Sequence, residues 1–330
     1  MKPILTNIPV GVWSGWEEAT RLVAPLEDTH GVSDPHQRPF SRIKAIKAAW
    51  KLFRERKSGV AFLVTANLTG FVLAGLLRVW PWGRLPLFFT ATIWTHPRNS
   101  VERWVRRQMF SFIGPSIRRI FVHTRCEIRA FARTFGLPEE KFRFVPFCHR
   151  LSGYSYEVRD DGYVWSGGNG DRDYRTLLEA VENLEFPVVI NSTRKKLFEG
   201  LSIPGHVRVE GVTPEKFRER MAACRVGVVP MEKGKLHPGG QQTFLALMAL
   251  GKAVVVTDPE GARDYIDDGR DGFLVPPQDS RALYNVLRRL IAEPELRVAI
   301  GRRARNRALP LDEERRGRAL LKALRGDLSD

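Results

Sequence analysis

The chain has 330 residues, 43% hydrophobic and 27% charged, a globular composition that excludes a disordered or fibrous protein and leaves room for two cores. Its formal net charge of +16 is lopsided: residues 1–150 hold 24 Lys and Arg against 10 Asp and Glu, the remainder 29 against 27. A first half this basic points to an anionic partner, whether a membrane surface, an acidic acceptor or nucleic acid.

The first ten residues carry one lysine and apolar residues broken by Pro3, Asn7 and Pro9, which is not a secretory pattern. Phe40–Lys57 reads as an amphipathic helix with Ile43, Ile46, Trp50 and Phe53 on one side and basic residues elsewhere. Val60–Leu77 is uncharged and about long enough to span a bilayer. Thr65, Asn67, Thr69 and Gly70 divide it into a buried strand at Ala61–Thr65, a polar turn and a buried helix at Phe71–Val79. A strand at Leu87–Trp94 follows, then a helix at Val101–Phe112, a strand at Ile120–His123 and a helix at Cys126–Phe135. The apolar run Phe142–Phe147 closes this half, with a domain boundary near Arg150.

The second half alternates more regularly. Strands are expected at Tyr163–Ser166, Pro187–Asn191, Val207–Glu210, Val226–Pro230, Ala253–Thr257 and Phe273–Val275. Helices fall at Tyr174–Leu184, Pro214–Ala223, Gln242–Leu250, Ala262–Ile266 and Ser280–Ala292, the second opening on an N-cap threonine followed by proline. Strand and helix alternating at this spacing mean a parallel sheet covered on both faces, with ligands at the carboxyl ends of its strands. Beyond about Arg305 a charged helical tail is expected.

Two segments can carry chemistry. Ser166-Gly167-Gly168-Asn169-Gly170-Asp171-Arg172-Asp173-Tyr174 runs from a strand into a helix. Glycines there let backbone N–H groups approach a ligand, the helix start favours negative charge, and Arg172 offers a forked phosphate donor. The same pattern also fits a tight turn with solvent-facing charges, and no Gly-Lys-Ser/Thr follows to make it a Walker loop. His237-Pro238-Gly239-Gly240-Gln241-Gln242-Thr243 opens another helix on the same sheet edge, where Gln241, Gln242 and Thr243 suit hydroxyls or phosphate oxygens. Two such starts fit a diphosphate. Arg194, Lys195 and Lys196 after the second strand read equally as counter-charge or as a solvated basic turn.

With both loops in place, residues from about Gly162 to Ala308 resemble the donor domain of GT-B glycosyltransferases of the large family-4 group. The resemblance rests on an ordered set: the glycine-rich loop, Val207–Val212, Met221–Pro230, Ala246–Asp258 and Asp268–Pro277. In the first half, Phe121–Glu127 and Phe144–Phe147 look like the family's last acceptor-domain strand and its lead into the linker, whereas no counterpart of its opening strand is found before about Phe40. The resemblance implies an α/β fold of two Rossmann-like parallel-sheet domains facing across a cleft. Residues 1–150 would bind acceptor, 151–308 would bind nucleotide-sugar, and 309–330 would form the tail.

For the site, the resemblance implies donor contacts from Gly167, Gly168, Asn169, Gly170, Arg172, Arg194, Lys195, Gly240, Gln241, Gln242 and Thr243. His96 falls where the family often has a histidine reaching the transferred sugar. Two family glutamates, one contacting the donor sugar and one the ribose, would fall near Pro238 and at Ala246; Glu232 is the one nearby carboxylate. Asp171-Arg172-Asp173 has Asp-x-Asp spacing but lies within the glycine-rich loop; the resemblance implies that no metal or other cofactor is needed, and it implies retention of anomeric configuration.

Cys126, Cys148 and Cys224 are widely spaced and odd in number, which favours a reducing compartment. Arg103, Arg106, Arg107, Arg118 and Arg119 interleave with Trp104, Phe110 and Phe112, and Trp80, Trp82, Phe88 and Phe89 flank Arg84. This mixture suits an anionic bilayer, so a cytoplasmic, peripheral enzyme acting on a lipid-linked or polysaccharide precursor is expected. The competing readings are a non-catalytic partner subunit, a nucleotide-sugar epimerase and, lacking any reading motif, a nucleic-acid binder.

Overall fold

The computed structural model describes residues 2–8, 16, 19–23, 42–90, 92–151, 156–258 and 260–329. They form two compact units, Met1–Pro146 with Glu313–Asp330, and Phe147–Asp312. Each contains a six-stranded parallel sheet, with helices packed on it.

In the first unit the strands are β1 (Ile4–Thr6), β2 (Thr20–Leu22), β3 (Ala61–Thr65), β4 (Leu87–Thr90), β5 (Ile117–Val122) and β6 (Phe142–Phe144), ordered β2-β1-β3-β4-β5-β6. Every residue of β4 and all but the last of β3 are buried, as strands covered on both faces must be. The intervening helices are α1 (Arg42–Arg54), α2 (Leu68–Val79), α3 (Ser100–Ile113) and α4 (Arg125–Phe135). Asn67 caps α2 by accepting from the Thr69 N–H at 3.0 Å, and Asn99 caps α3 through the Glu102 N–H at 2.8 Å. Glu127 closes a capping box at the start of α4.

Four expectations change here. An opening strand does exist: β1 pairs with both β2 and β3, and Leu5 is fully buried. Three residues between prolines are too few to show a strand period. The strand expected through Trp94 stops at Thr90, and Trp94 turns into an aromatic cluster, 5.0–5.1 Å from Phe110, Phe131 and Phe135, with its indole donating to the Ala66 carbonyl. In α1 the buried side is Ala45, Ala49, Leu52 and Phe53, whereas Ile43, Ile46 and Trp50 face outward. Two alanines allow α1 to lie close against α2, which bulkier residues would prevent. The start of that expected helix, Phe40 and Ser41, lies outside the described residues.

The fourth change concerns the segment expected as a tail. The helix α10 (Glu313–Ser329) packs into the first unit, where Leu320, Leu321 and Leu324 join Ile4, Leu63, Phe88 and Phe121 in one core cluster. Asp327, also on α10, accepts from Arg119 and lies 3.4 Å from Arg143. Burial alone would push its carboxyl up, but the two guanidinium groups overcome this and hold it below the usual carboxylate range. Stability from a lowered pKa is present above the unfolded value and fades as pH falls through the folded one. The first unit will therefore melt earlier below about pH 4, and Asp327→Asn will flatten that drop while lowering the neutral-pH melting temperature. A thermal melt series across pH checks this.

The second unit holds β7 (Val164–Gly167), β8 (Val188–Asn191), β9 (Val207–Glu210), β10 (Val226–Val229), β11 (Ala253–Thr257) and β12 (Phe273–Val275), ordered β12-β11-β10-β7-β8-β9. Its helices are α5 (Tyr174–Val181), α6 (Pro214–Ala223), α7 (Gln241–Ala249), α8 (Ser280–Ala292) and α9 (Pro294–Ala308). The expected helix at Ala262–Ile266 is a single 3-10 turn, Gly261–Asp264. From β7 the chain proceeds outward through β8 and β9, and from β10 outward the other way through β11 and β12. The strand order therefore reverses between β7 and β10, and ligands of open parallel sheets bind in the crevice at that reversal.

Candidate functional site

The loops leaving β7 and β10 are the two glycine-bearing segments, so the fold places them side by side at the reversal point. Arg172 joins them. It is 7% exposed, and its Nε donates to the Gly167 carbonyl at 3.1 Å. Its Nη1 reaches the Gly170 carbonyl at 2.9 Å and the Met231 sulfur at 3.0 Å, and its Nη2 reaches the Thr243 hydroxyl at 3.0 Å. Burial lowers the Arg172 pKa. A guanidinium still keeps its proton. Among the described residues no carboxylate pairs with it, so a fixed positive charge sits beneath both loops.

Glycine is required at two points of this arrangement. Gly168 has φ +121, and a Cβ there would fall 3.0 Å from the Arg172 Cζ. Gly240 has φ +89, and a Cβ would fall 2.8 Å from the Met231 sulfur. A third loop is fastened by Asn169, whose carbonyl accepts from the Ser192 hydroxyl and the Thr193 N–H at 2.9 and 3.0 Å. That bond holds the turn after β8, with Arg194 half-buried and Lys195 exposed, against the first loop.

The two helix starts differ. At α5 the Asp173 carboxylate accepts from the Thr176 N–H at 3.1 Å and from its hydroxyl at 2.6 Å, so a negative group already occupies that end. The helix start expected to receive an anion near Gly170 is thus shared with a carboxylate. At α7 the N-cap is Gly240, and no side chain caps the helix. Its first backbone amides are the ones left for an anion.

The remaining expected residues are placed as follows. Gln241 is buried, and its amide donates to the Pro238 carbonyl, while Gln242 is exposed. Ala246, where the ribose-binding glutamate would fall, is 5% exposed within α7. Glu232 is held by Lys235 at 2.6 Å, and the same ammonium binds Asp171 at 3.0 Å. The hydrogen bond to Glu232 leads the causes that raise the Lys235 pKa. His96 belongs to the other unit and is exposed, between β4 and α3.

Sequence reasoning missed Lys235 and Met231, which lie in a long loop without periodicity. Asp173 had a signal: an aspartate three residues before Thr176 is an N-cap pattern. Tyr174 was taken only as a helix start, yet its hydroxyl donates to the Gly168 carbonyl at 2.7 Å, and burial pushes its pKa up to about 12. Beside the loops lies an open depression of about 480 Å³, lined by Arg172, Tyr174, Arg175, Lys196, Glu232 and Gln278 among others. The described non-glycine residues with positive φ, Asp171, Glu260 and Gln278, all stand on this carboxyl edge. Such backbone strain, about 1–3 kcal/mol each, concentrates at functional sites. Among the described residues no three His, Cys, Asp or Glu side chains gather closely enough to hold a metal ion.

Residues 173–293 match the family model described as Glycosyl transferases group 1. The chain is 26% identical over 195 residues to the putative glycosyltransferase EpsD of Bacillus subtilis (strain 168), covering 54% of this chain and about half the length of that relative. Among solved structures, a glycosyltransferase from Rickettsia africae ESF-5 superposes with a TM-score of 0.69 at 14% identity, covering 99% of both chains. Sucrose-phosphate synthase from Thermosynechococcus elongatus gives 0.68 at 17% identity, over 89% of this chain and 82% of that one. Anabaena Alr3699/HepE, in complex with UDP, also gives 0.68, at 16% identity, over 86% and 82%. Taken with the two six-stranded parallel sheets and the paired loops at the reversal of the second, these likenesses give the chain the GT-B fold, with residues 173–293 similar to the group 1 glycosyltransferases.

Proposed function

We propose that the protein transfers a sugar from a nucleotide-sugar donor, bound by the second unit, to a lipid-linked, polysaccharide or other cell-envelope glycan acceptor bound by the first. The observation that carries this reading is the joined pair of loops: an uncapped α7 start over a buried guanidinium that, among the described residues, forms no ion pair. As the bond between the sugar C1 and the diphosphate oxygen breaks, the electron pair goes to that oxygen while the acceptor hydroxyl attacks C1 and passes its proton to the departing phosphate. The α7 amides, the field of Arg172 and the cations of Arg194 and Lys195 would meet the growing negative charge. These groups suffice for the diphosphate without a metal. His96 would contact the sugar, and retention of configuration follows the family. Glu232 serves this site as part of a Lys235-centred ion network.

The basic first unit suits a cytoplasmic protein resting on the inner face of the plasma membrane. One observation favours a second reading, a non-catalytic partner subunit of a transferase. Ala246 stands where the family's ribose-binding carboxylate would be, and Glu232 is already ion-paired.

Because HepE is seen with UDP and with UDP-glucose, UDP is the first nucleotide to test, followed by GDP, ADP and dTDP. Calorimetry with each nucleotide and its sugars is expected to find one binder at micromolar to millimolar strength, with slow release of nucleotide from the sugar form. Absence of binding to all of them at millimolar concentration sinks the transferase reading. Binding without any turnover favours the partner subunit.

A further inference from the structure

Helix α1 presents its larger apolar side chains to solvent. Ile43, Ile46 and Trp50, three and four residues apart and so on one stripe, are 66%, 50% and 51% exposed. Arg42, Lys44, Lys47, Lys51 and Arg54 are exposed on the same helix, and no acidic residue interrupts it.

The stripe continues past the helix. Trp50 lies 5.8 Å from the Phe53 ring, and the Arg56 guanidinium sits 4.2 Å from that ring's centre. Arg56 also donates to the Trp82 carbonyl at 3.5 Å, and Trp82 meets Trp80 edge-on at 5.9 Å. Trp80 and Trp82, on either side of Pro81 just beyond α2, are 53% and 71% exposed, with Val79 beside them at 68%. The result is one ribbon of exposed isoleucine, valine and tryptophan rimmed by Arg54, Lys57 and Arg78. Of the aromatics expected from the sequence it takes Trp80 and Trp82; Trp104 and Phe112 are exposed on α3, and Phe88, Phe89 and Phe110 are core residues.

We propose that this ribbon is the face on which the protein sits on an anionic lipid bilayer. The tryptophans and isoleucines would enter the boundary between headgroups and acyl chains, and the arginines and lysines would lie on lipid phosphates. Tryptophan favours that boundary, and a basic amphipathic helix with no acidic residue matches a negative leaflet. A second copy of the chain fits poorly, because a two-fold contact would set the α1 cations against each other. Duplex nucleic acid would satisfy the cations but offers no apolar surface to Ile43 and Ile46. This inference rests on the membrane side of the proposed function, and the experiment separates the two.

Full-length protein is sedimented with vesicles of phosphatidylglycerol and phosphatidylcholine, and with phosphatidylcholine alone, while tryptophan emission and UDP binding are recorded. Pelleting with the anionic vesicles and a blue-shifted emission are expected. Trp80→Ser/Trp82→Ser and Lys47→Glu/Lys51→Glu should each cut partitioning by about tenfold or more, with the melting temperature and UDP binding unchanged. Equal partitioning of the variants, equal binding to neutral vesicles, no binding, or a ribbon-dependent dimer or single-strand DNA complex in place of vesicle binding overturns the proposal. A protein that binds vesicles but no nucleotide keeps the ribbon and loses the transferase reading. One that binds nucleotide but no vesicles does the reverse.

Discussion

A chain ending at Asp312 will lose the fold of its first unit and keep that of its second. The missing α10 carries Leu320, Leu321 and Leu324, all within the core cluster formed with Ile4, Leu63, Phe88 and Phe121. Losing one buried leucine costs about 2–5 kcal/mol, so three together rival the roughly 5–15 kcal/mol that holds a whole domain. Arg119 and Arg143 would also lose the Asp327 carboxylate. Limited proteolysis of the truncated protein should digest residues 1–146 quickly and leave 147–312 as a resistant fragment that still binds nucleotide. A truncated chain with the melting profile of the intact one would show that α10 is not what completes this core.

Arg172→Ala will weaken nucleotide binding by at least about tenfold and also destabilise the second unit, and the joint effect is the diagnostic one. Removing the guanidinium strands the buried Gly167 carbonyl, at about 1–3 kcal/mol, and leaves the more accessible Gly170 carbonyl and Thr243 hydroxyl to water. The two loops then lose their common fastening. Arg172→Lys keeps a charge but not the fork, and should recover part of the stability and less of the affinity. Thermal unfolding and UDP calorimetry on both variants decide the matter. Weakened binding with unchanged stability would mean that Arg172 touches the ligand directly and does not brace the loops.

Much of the second unit was readable in advance. Val207–Glu210, Ala253–Thr257 and Phe273–Val275 are strands with the expected bounds: the second is a fully buried apolar run, and the first and third, at the sheet edges, are cut off by Gly211, Gly272 and Pro276. In the first unit, β1 and β2 were not found, since three residues give no period to detect. The sequence grouped Ile43, Ile46, Trp50 and Phe53 on one side of α1, and the structure buries only Phe53 of them. A helical stripe of Ile43, Ile46 and Trp50 looks the same whether it meets a core or a membrane, and only the packing of Ala45 and Ala49 distinguishes them.

The candidate site divides in the same way. Both glycine loops, Arg172 among them, were legible from composition and from the strand and helix on either side. The sequence also put both on one sheet edge around a diphosphate; that β10 lies directly beside β7 is a matter of crossover order that no local pattern encodes. Arg172 was read as a phosphate donor from its place in the loop; that it also braces both loops through four partners shows only in the folded chain.

By itself, then, the amino-acid order determined the α/β class, the two halves, the asymmetry of charge and the glycine-bearing segments, all of which follow from composition and short-range spacing. Tertiary structure alone decided that α10 returns to the first unit, that α5 is capped while α7 is open, and which aromatic side chains face solvent. Those outcomes turn on contacts between residues far apart in the chain, whose energies do not exist until the sheets have closed.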